Sequence, residues 1–324
     1  MTGMKAWQVT ELGEPAAVMR QTGTERPEPG EGRLLVKVRA AAVNFPDALM
    51  CRGHYQVRPP LPFTPGVELC GEIVSGDRAG ERVVGTALLP AGAFAEYALM
   101  DPATAFPAPP ALDDAEAAAL HIGYQTAWFG LHRRARLQAG ETLLVHAAAG
   151  GVGSAAVQLG KAAGARVIGV VGGPEKAAAA EALGADLVID RHHEDFVAAV
   201  KEATGGRGAD VVFDPVGGEA YTGSTKCIAF EGRILVVGFA GGTIPAPGLN
   251  HALVKNYTIL GLHWGLYNAH DPQAVRDCHT ELTDLAAKGV VKPLIGERLL
   301  FDRAAEAVQR VADGTSIGRL TIHP

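Results

Sequence analysis

The residues best suited to chemistry lie in one stretch, HAAAGGVGSAAVQLGKAAGA, which begins at His146. It follows an apolar run, LLVH, and opens what reads as a helix from Ser154. A glycine turn between a strand and a helix lets backbone amides approach a pyrophosphate while the helix N-terminus faces its charge. In the GxGxxG pattern the first glycine is here Ala148, and Gly150 and Gly153 hold the second and third places. The backbone of Ala149, Gly150, Gly151 and Val152 is therefore the candidate phosphate cradle, and Gly153 lets the helix pack close to its strand.

A second signal concerns which dinucleotide fits. Enzymes that use NAD carry an acidic residue about 20 residues past the turn, at the end of the next strand, where it binds the ribose hydroxyls. After RVIGVV this chain has Gly172 and Gly173 instead. Without a carboxylate to repel it a 2′-phosphate fits there, and Lys176 is close enough in sequence to pair with it. Arg191, just after the third strand of the series, is expected at the same sheet end as a second phosphate partner. NADPH is the expected cofactor.

The elements that must position these residues alternate regularly. LLVH, RVIGVV, LVID, DVVFD and GRILVVG are apolar strands, with helices expected from Ser154, Pro174 and Glu194, and TILGL supplies a sixth strand. Such βα units predict a doubly wound parallel sheet covered on both faces. The N-terminal part reads differently: MKAWQVTEL, GRLLVKVRAAAV, VELCGEIV, ERVVGTAL and GAFAEYALM are short strands separated by Gly and Pro. Between them RGHYQVRPPLPFTP predicts an ordered, irregular loop. After DDAEAAAL, an acidic helix start, the pattern changes to helical. The expected fold class is α/β, with a β-rich domain over residues 1–120 completed by 266–324, and a nucleotide-binding domain over 121–265.

Composition excludes several classes. The chain has 324 residues, 48% hydrophobic and 20% charged, the balance of a compact soluble protein. The net charge of −6 is spread without long runs of one sign, so neither nucleic acid nor anionic lipid is an expected partner. No basic and apolar leader opens the sequence and no run of 18 apolar residues occurs, which points to the cytoplasm. Cys51, Cys70, Cys227 and Cys278 are far apart and read as buried thiols.

AAAVNFPDALMCRGHYQVRPPLPFTPGVELCGEI, HAAAGGVG and EGRILVVGFAGGTIP, with GLHWGLY, resemble the quinone oxidoreductase branch of the medium-chain dehydrogenases/reductases along essentially the whole chain. The resemblance implies a GroES-like catalytic domain, a Rossmann domain and a homodimer. It also implies where zinc would sit, because alcohol dehydrogenases of this superfamily bind it with a cysteine and with the histidine of a GHE motif. Asn44 and Val67 stand at those positions here, and neither is a ligand zinc prefers, so no metal is expected. The family's NFxD and GxY positions fall on Asn44, Asp47 and Tyr55. Asn44 would bind the nicotinamide ribose or carboxamide, Tyr55 would polarise a reducible carbonyl or donate its proton, and Asp47 would hold the loop. Thr126 resembles a family contact near the nicotinamide, and Phe239 and Trp264 are expected as walls beside it, Trp264 facing the substrate. His121 reads as a core residue, and His192 and His193 as surface residues of a loop.

These readings predict transfer of a hydride from NADPH to a quinone without metal. The alternatives are reduction of 2-alkenals, enones or enoyl thioesters, or binding of NADPH without catalysis. A thioester reductase would need cations for the carrier's phosphates, for which Arg52 and Arg58 are the candidates.

Overall fold

A computed structural model describes residues 3–324. The chain forms two compact units, one running to Ile122 and resuming with His279–Pro324, the other Gly123–Cys278.

The first unit opens with a hairpin of β1 (Gly3–Val9) and β2 (Met19–Glu25). Four further strands follow: β3 (Leu34–Ala42), β4 (Glu68–Ile73), β5 (Arg82–Ala87) and β6 (Tyr97–Pro107). They pair in order and antiparallel, and β3 also pairs with β6, so the sheet curls back on itself. This curling gives the strands an inner face, filled by Val36, Val38, Leu69, Ile73, Val83 and Met100. Between β3 and β4 the helix Phe45–Cys51 is followed by the proline-rich loop, which contains no helix or strand. After β6, Asp113 caps the helix Asp114–Ala118 by accepting the Ala115 and Glu116 N–H groups, and Glu116 accepts the Asp113 N–H in return. Such a reciprocal cap contributes about 1 kcal/mol and sets the change from strands to helices.

The second unit is built on β7 (Thr142–His146), β8 (Arg166–Val171), β9 (Leu187–Asp190), β10 (Ala209–Asp214), β11 (Ile228–Val236) and β12 (Thr258–Gly261). The six are parallel, in the order β12-β11-β10-β7-β8-β9. Every residue of β7 is buried and β8 is buried but for Arg166, as a sheet covered on both faces requires. The direction of progression reverses between β7 and β10, and ligands of open α/β sheets bind beside such a reversal, at the carboxyl ends of the strands.

The chain then passes through the helix Pro272–Ala287 to β13 (Ile295–Leu300) and β14 (Arg319–His323). β14 pairs with β3, so these C-terminal strands extend the sheet of the first unit, and that domain is discontinuous in sequence.

Candidate functional site

In the second unit β7 ends at His146, and the chain turns through Ala147, whose φ of +50° is left-handed. That backbone costs a residue with a Cβ on the order of 1–2 kcal/mol. The helix Gly151–Ala162 begins directly after Gly150, three residues before the expected start at Ser154. Gly150 caps it with extended backbone and no side chain. Its first-turn amides therefore lack intrahelical partners and are not covered by a cap, which is the arrangement that binds an anion. Gly153 has no alternative: a Cβ there would lie 2.1 Å from the Ala147 carbonyl oxygen, so any side chain would push the helix off the turn.

At the end of β8, Gly172 and Gly173 meet the loop that follows β9. Gly173 has φ +95°, and its N–H donates to the Asp190 carboxylate at 2.9 Å. The same oxygen accepts the His192 N–H at 3.1 Å, so one carboxylate ties the two loops together. Those backbone donors hold Asp190 below the usual carboxylate range. A Cβ on Gly172 would lie 3.0 Å from His192 Nε2 and 3.1 Å from Arg191 Nε. The place where an NAD enzyme carries its acid is thus overlaid by a guanidinium and an imidazole. Lys176 lies in the first turn of the helix Pro174–Ala182, half-buried, and burial together with Arg191 lowers its pKa. Two cations beside a helix N-terminus are unfavourable unless an anion joins them.

Beside them, β10 ends in Asp214, whose Oδ1 accepts the Val216 and Gly217 N–H groups at 2.8 and 2.9 Å. Phe239 lies over that turn, its Cδ1 2.9 Å from where a Gly217 Cβ would be, and stays partly exposed. His146 places Nε2 2.8 Å from Ser224 Oγ, and the Ser224 hydroxyl donates to the Ala220 carbonyl. The hydroxyl has one hydrogen, so the imidazole is the donor, and burial pushes its pKa down to about 4. Thr126 is buried in the helix His121–Trp128. Trp264, expected as a wall facing the substrate, is 6% exposed and donates its indole N–H to Gln125.

In the first unit Asn44 and Asp47 meet at the start of the helix Phe45–Cys51. Asp47 is fully buried and all its contacts are backbone: Oδ2 accepts the Asn44 N–H, and Oδ1 those of Gly66 and Val67. Burial pushes its pKa up to about 7 against the pull of these donors. It staples the helix to the Gly66–Val67 turn and has no surface from which to touch a substrate.

The Asn44 amide nitrogen donates to the Ala42 carbonyl at 3.1 Å and to Glu68 Oε2 at 2.9 Å. A flipped amide would set oxygen against two oxygens, so the orientation is fixed. What remains for a ligand is the carbonyl oxygen, an acceptor. Glu68 is itself buried, pairs with Arg319 and accepts the Ile122 N–H at 2.7 Å. Tyr55 is half-buried against the core, and burial raises its pKa, so the phenol keeps its proton at neutral pH.

The residues do not fit zinc. Asn44 offers only a neutral amide oxygen, which zinc does not prefer, Val67 has no ligating atom, and among the described residues no group of three His, Cys, Asp or Glu side chains is placed to hold a metal ion. The cysteines are buried, and burial pushes Cys51 and Cys70 up to about 12. Arg52 forms a bidentate pair with Glu14 at 2.8 and 2.7 Å, and Arg58 is exposed. No helix among the described residues is long and apolar enough to cross a membrane.

Known proteins place this geometry. Residues 30–110 match the alcohol dehydrogenase GroES-like domain, and residues 151–281 the zinc-binding dehydrogenase domain. The chain is 38% identical to the quinone oxidoreductase-like protein 2 homolog of Nematostella vectensis, over 99% of this chain and 90% of that protein. It is 33% identical to part of the phthioceranic/hydroxyphthioceranic acid synthase of Mycobacterium tuberculosis, over 92% of this chain and 14% of the synthase. The structure of Escherichia coli quinone oxidoreductase complexed with NADPH is 28% identical with a TM-score of 0.91, covering 99% of this chain and 100% of that one. With its GroES-like sheet, its doubly wound sheet and its glycine turn, the chain belongs to the medium-chain dehydrogenase/reductase family, in the branch of the NADPH:quinone oxidoreductase-like proteins.

Proposed function

We propose that this chain reduces conjugated carbonyl acceptors, quinones foremost, using NADPH and no metal. The observation that carries the cofactor is the end of β8, where Gly172 leaves room for Arg191 and His192 and where Lys176 adds a second cation. Bound NADPH supplies the hydride, so the chain needs no nucleophile of its own. The first-turn amides after Gly150 would hold the pyrophosphate, and Lys176 and Arg191 the 2′-phosphate. The Asn44 carbonyl oxygen would accept from a ribose hydroxyl or from the carboxamide N–H. Thr126 and Phe239 would bound the nicotinamide. Tyr55 would donate a hydrogen bond, and then a proton, to the acceptor oxygen as charge develops there.

The likeness to part of an acyl-chain synthase favours a second reading, reduction of an enoyl thioester, to which enals and enones belong by the same chemistry. Steady-state rates with a benzoquinone, a naphthoquinone, an alkenal and crotonyl thioester separate the readings when NADPH carries deuterium at C4. Quinone turnover with stereospecific loss of label is expected. Turnover only with the thioester or alkenal replaces the first reading by the second. Nucleotide binding with no loss of label in any arm makes the chain a binding protein.

A homodimer formed along β12 is the assembly we infer. Among the described residues β12 ends the sheet without a further neighbour, and the helix Leu249–Lys255 that precedes it leaves Leu249, Leu253 and Val254 75–77% exposed. Sedimentation equilibrium is expected to give twice the chain mass, and Leu253→Glu to return it to the single chain. A single-chain mass for the unaltered protein rejects the dimer.

A further inference from the structure

We propose that His192 is a third contact for the 2′-phosphate and a determinant of NADPH over NADH, and that Gly172 serves this by leaving the space in which His192 lies. The proposal rests on the NADPH reading above.

The geometry separates His192 from its neighbour. Its ring reaches over the backbone at the end of β8, with Nε2 and Cε1 at 3.0 and 3.1 Å from a notional Gly172 Cβ, alongside Arg191 Nε at 3.1 Å. Its other nitrogen, Nδ1, lies 3.8 Å from Asp190 Oδ1. One edge of the imidazole therefore faces the Asp190 carboxylate, while the other edge, with Nε2, lies beside the Arg191 guanidinium at the end of β8. His193 places its Nε2 3.9 Å from the second Asp190 oxygen, and its side chain is 78% exposed against 56% for His192. Only one of the adjacent histidines turns to the strand end.

The loop that aims His192 is fixed by backbone bonds. Asp190 Oδ1 accepts the N–H groups of both Gly173 and His192, and the Arg191 N–H donates to the Val171 carbonyl at 3.0 Å. The ring thus stands on backbone that is tied to β8 before any ligand arrives, and little ordering is left for binding to accomplish. A phosphate monoester presents three terminal oxygens, and Lys176, Arg191 and His192 offer three separate donors to them. The 2′-hydroxyl of the unphosphorylated nucleotide has no such capacity. A Cβ at position 172 would require the imidazole and the guanidinium to give way by a few tenths of an ångström, and a longer side chain would compete with them for the same space.

Calorimetric titration with adenosine 2′,5′-bisphosphate and with 5′-AMP reads the contact without turnover. The unaltered protein is expected to bind the bisphosphate at least tenfold more tightly than 5′-AMP. His192→Ala is expected to lose about tenfold for the bisphosphate and nothing for 5′-AMP, His192→Arg to retain most of the affinity, and His193→Ala to change neither. Gly172→Ala is expected to cost the unaltered protein more than it costs the His192→Ala variant, because the methyl group displaces a ring that is then absent. Lys176→Ala is the reference, with a loss confined to the bisphosphate. If Lys176→Ala shows that loss and His192→Ala does not, the proposal fails while the NADPH reading stands. Equal binding of both ligands by the unaltered protein rejects both. Equal loss of both ligands in His192→Ala assigns the residue to the loop's structure and overturns the contact.

Discussion

Arg319→Met is expected to lower the stability of the protein by about 3–5 kcal/mol, because it strands a charge where water cannot reach it. Glu68 is wholly buried and Arg319 is 5% exposed. One Glu68 oxygen receives Arg319 and the Asn44 amide, and the other the Ile122 N–H. Burial pushes the carboxyl pKa up, and the guanidinium is the strongest influence opposing it. Removing the cation leaves a carboxylate that must either stay charged in an apolar surrounding or take up a proton. The double variant Glu68→Gln/Arg319→Met is expected to recover part of the loss, since no charge is then buried, while the single amide oxygen can accept from only one of the Asn44 amide and the Ile122 N–H. Urea unfolding at constant slope measures both. A single variant as stable as the unaltered protein, or a double variant as damaged as the single, contradicts this account.

That pair also marks where the sequence stops being informative. Glu68 and Arg319 lie 251 positions apart, and nothing in residue type or spacing joins them. The parallel sheet was legible because its strands are uninterrupted apolar runs bounded by glycine, and the missing acid at Gly172 was legible because the nucleotide fold puts that position at a known distance from the turn. The start of the helix at Gly151 was not: Gly-Val-Gly has poor helix propensity, and it is helical because Gly153 must sit against the Ala147 carbonyl. β2 gave no signal, since MRQTGTE is polar and largely exposed and is a strand only through pairing with β1. The pairing of Arg52 was hidden by Glu14, 38 positions away, and the burial of Trp264 cannot be read from an aromatic near a strand end. His192 and His193 are indistinguishable as letters. Only the turn after β9 sends one ring over β8.

His121→Gln is expected to remove about 2 kcal/mol of acid sensitivity between pH 7.5 and 5. His121 is fully buried, against the Phe106 ring with centroids 5.2 Å apart, and burial, then the neighbouring His279, push its pKa from 6.5 down to about 3. The folded value lies below the unfolded one, so between them the unfolded chain binds more protons and stability falls as the pH drops through 6.5. Above that pH the residue contributes no slope. Its charged form cannot be stabilised by His279, which donates Nε2–H to the Pro107 carbonyl and whose own pKa burial also lowers. Asp47 acts in the opposite sense: its folded value is raised to about 7, so protonation there stabilises the fold as the pH falls and partly masks the histidine in the unaltered protein. The difference between the unaltered protein and the glutamine variant cancels Asp47 and every other group common to both, and isolates His121. Denaturant midpoints for both proteins, taken at half-unit intervals of pH, are expected to run parallel above pH 7 and to diverge below 6.5, with the unaltered protein losing more. Parallel curves down to pH 5 would mean that the imidazole takes up its proton in the folded state, by a local opening around Phe106 that admits water.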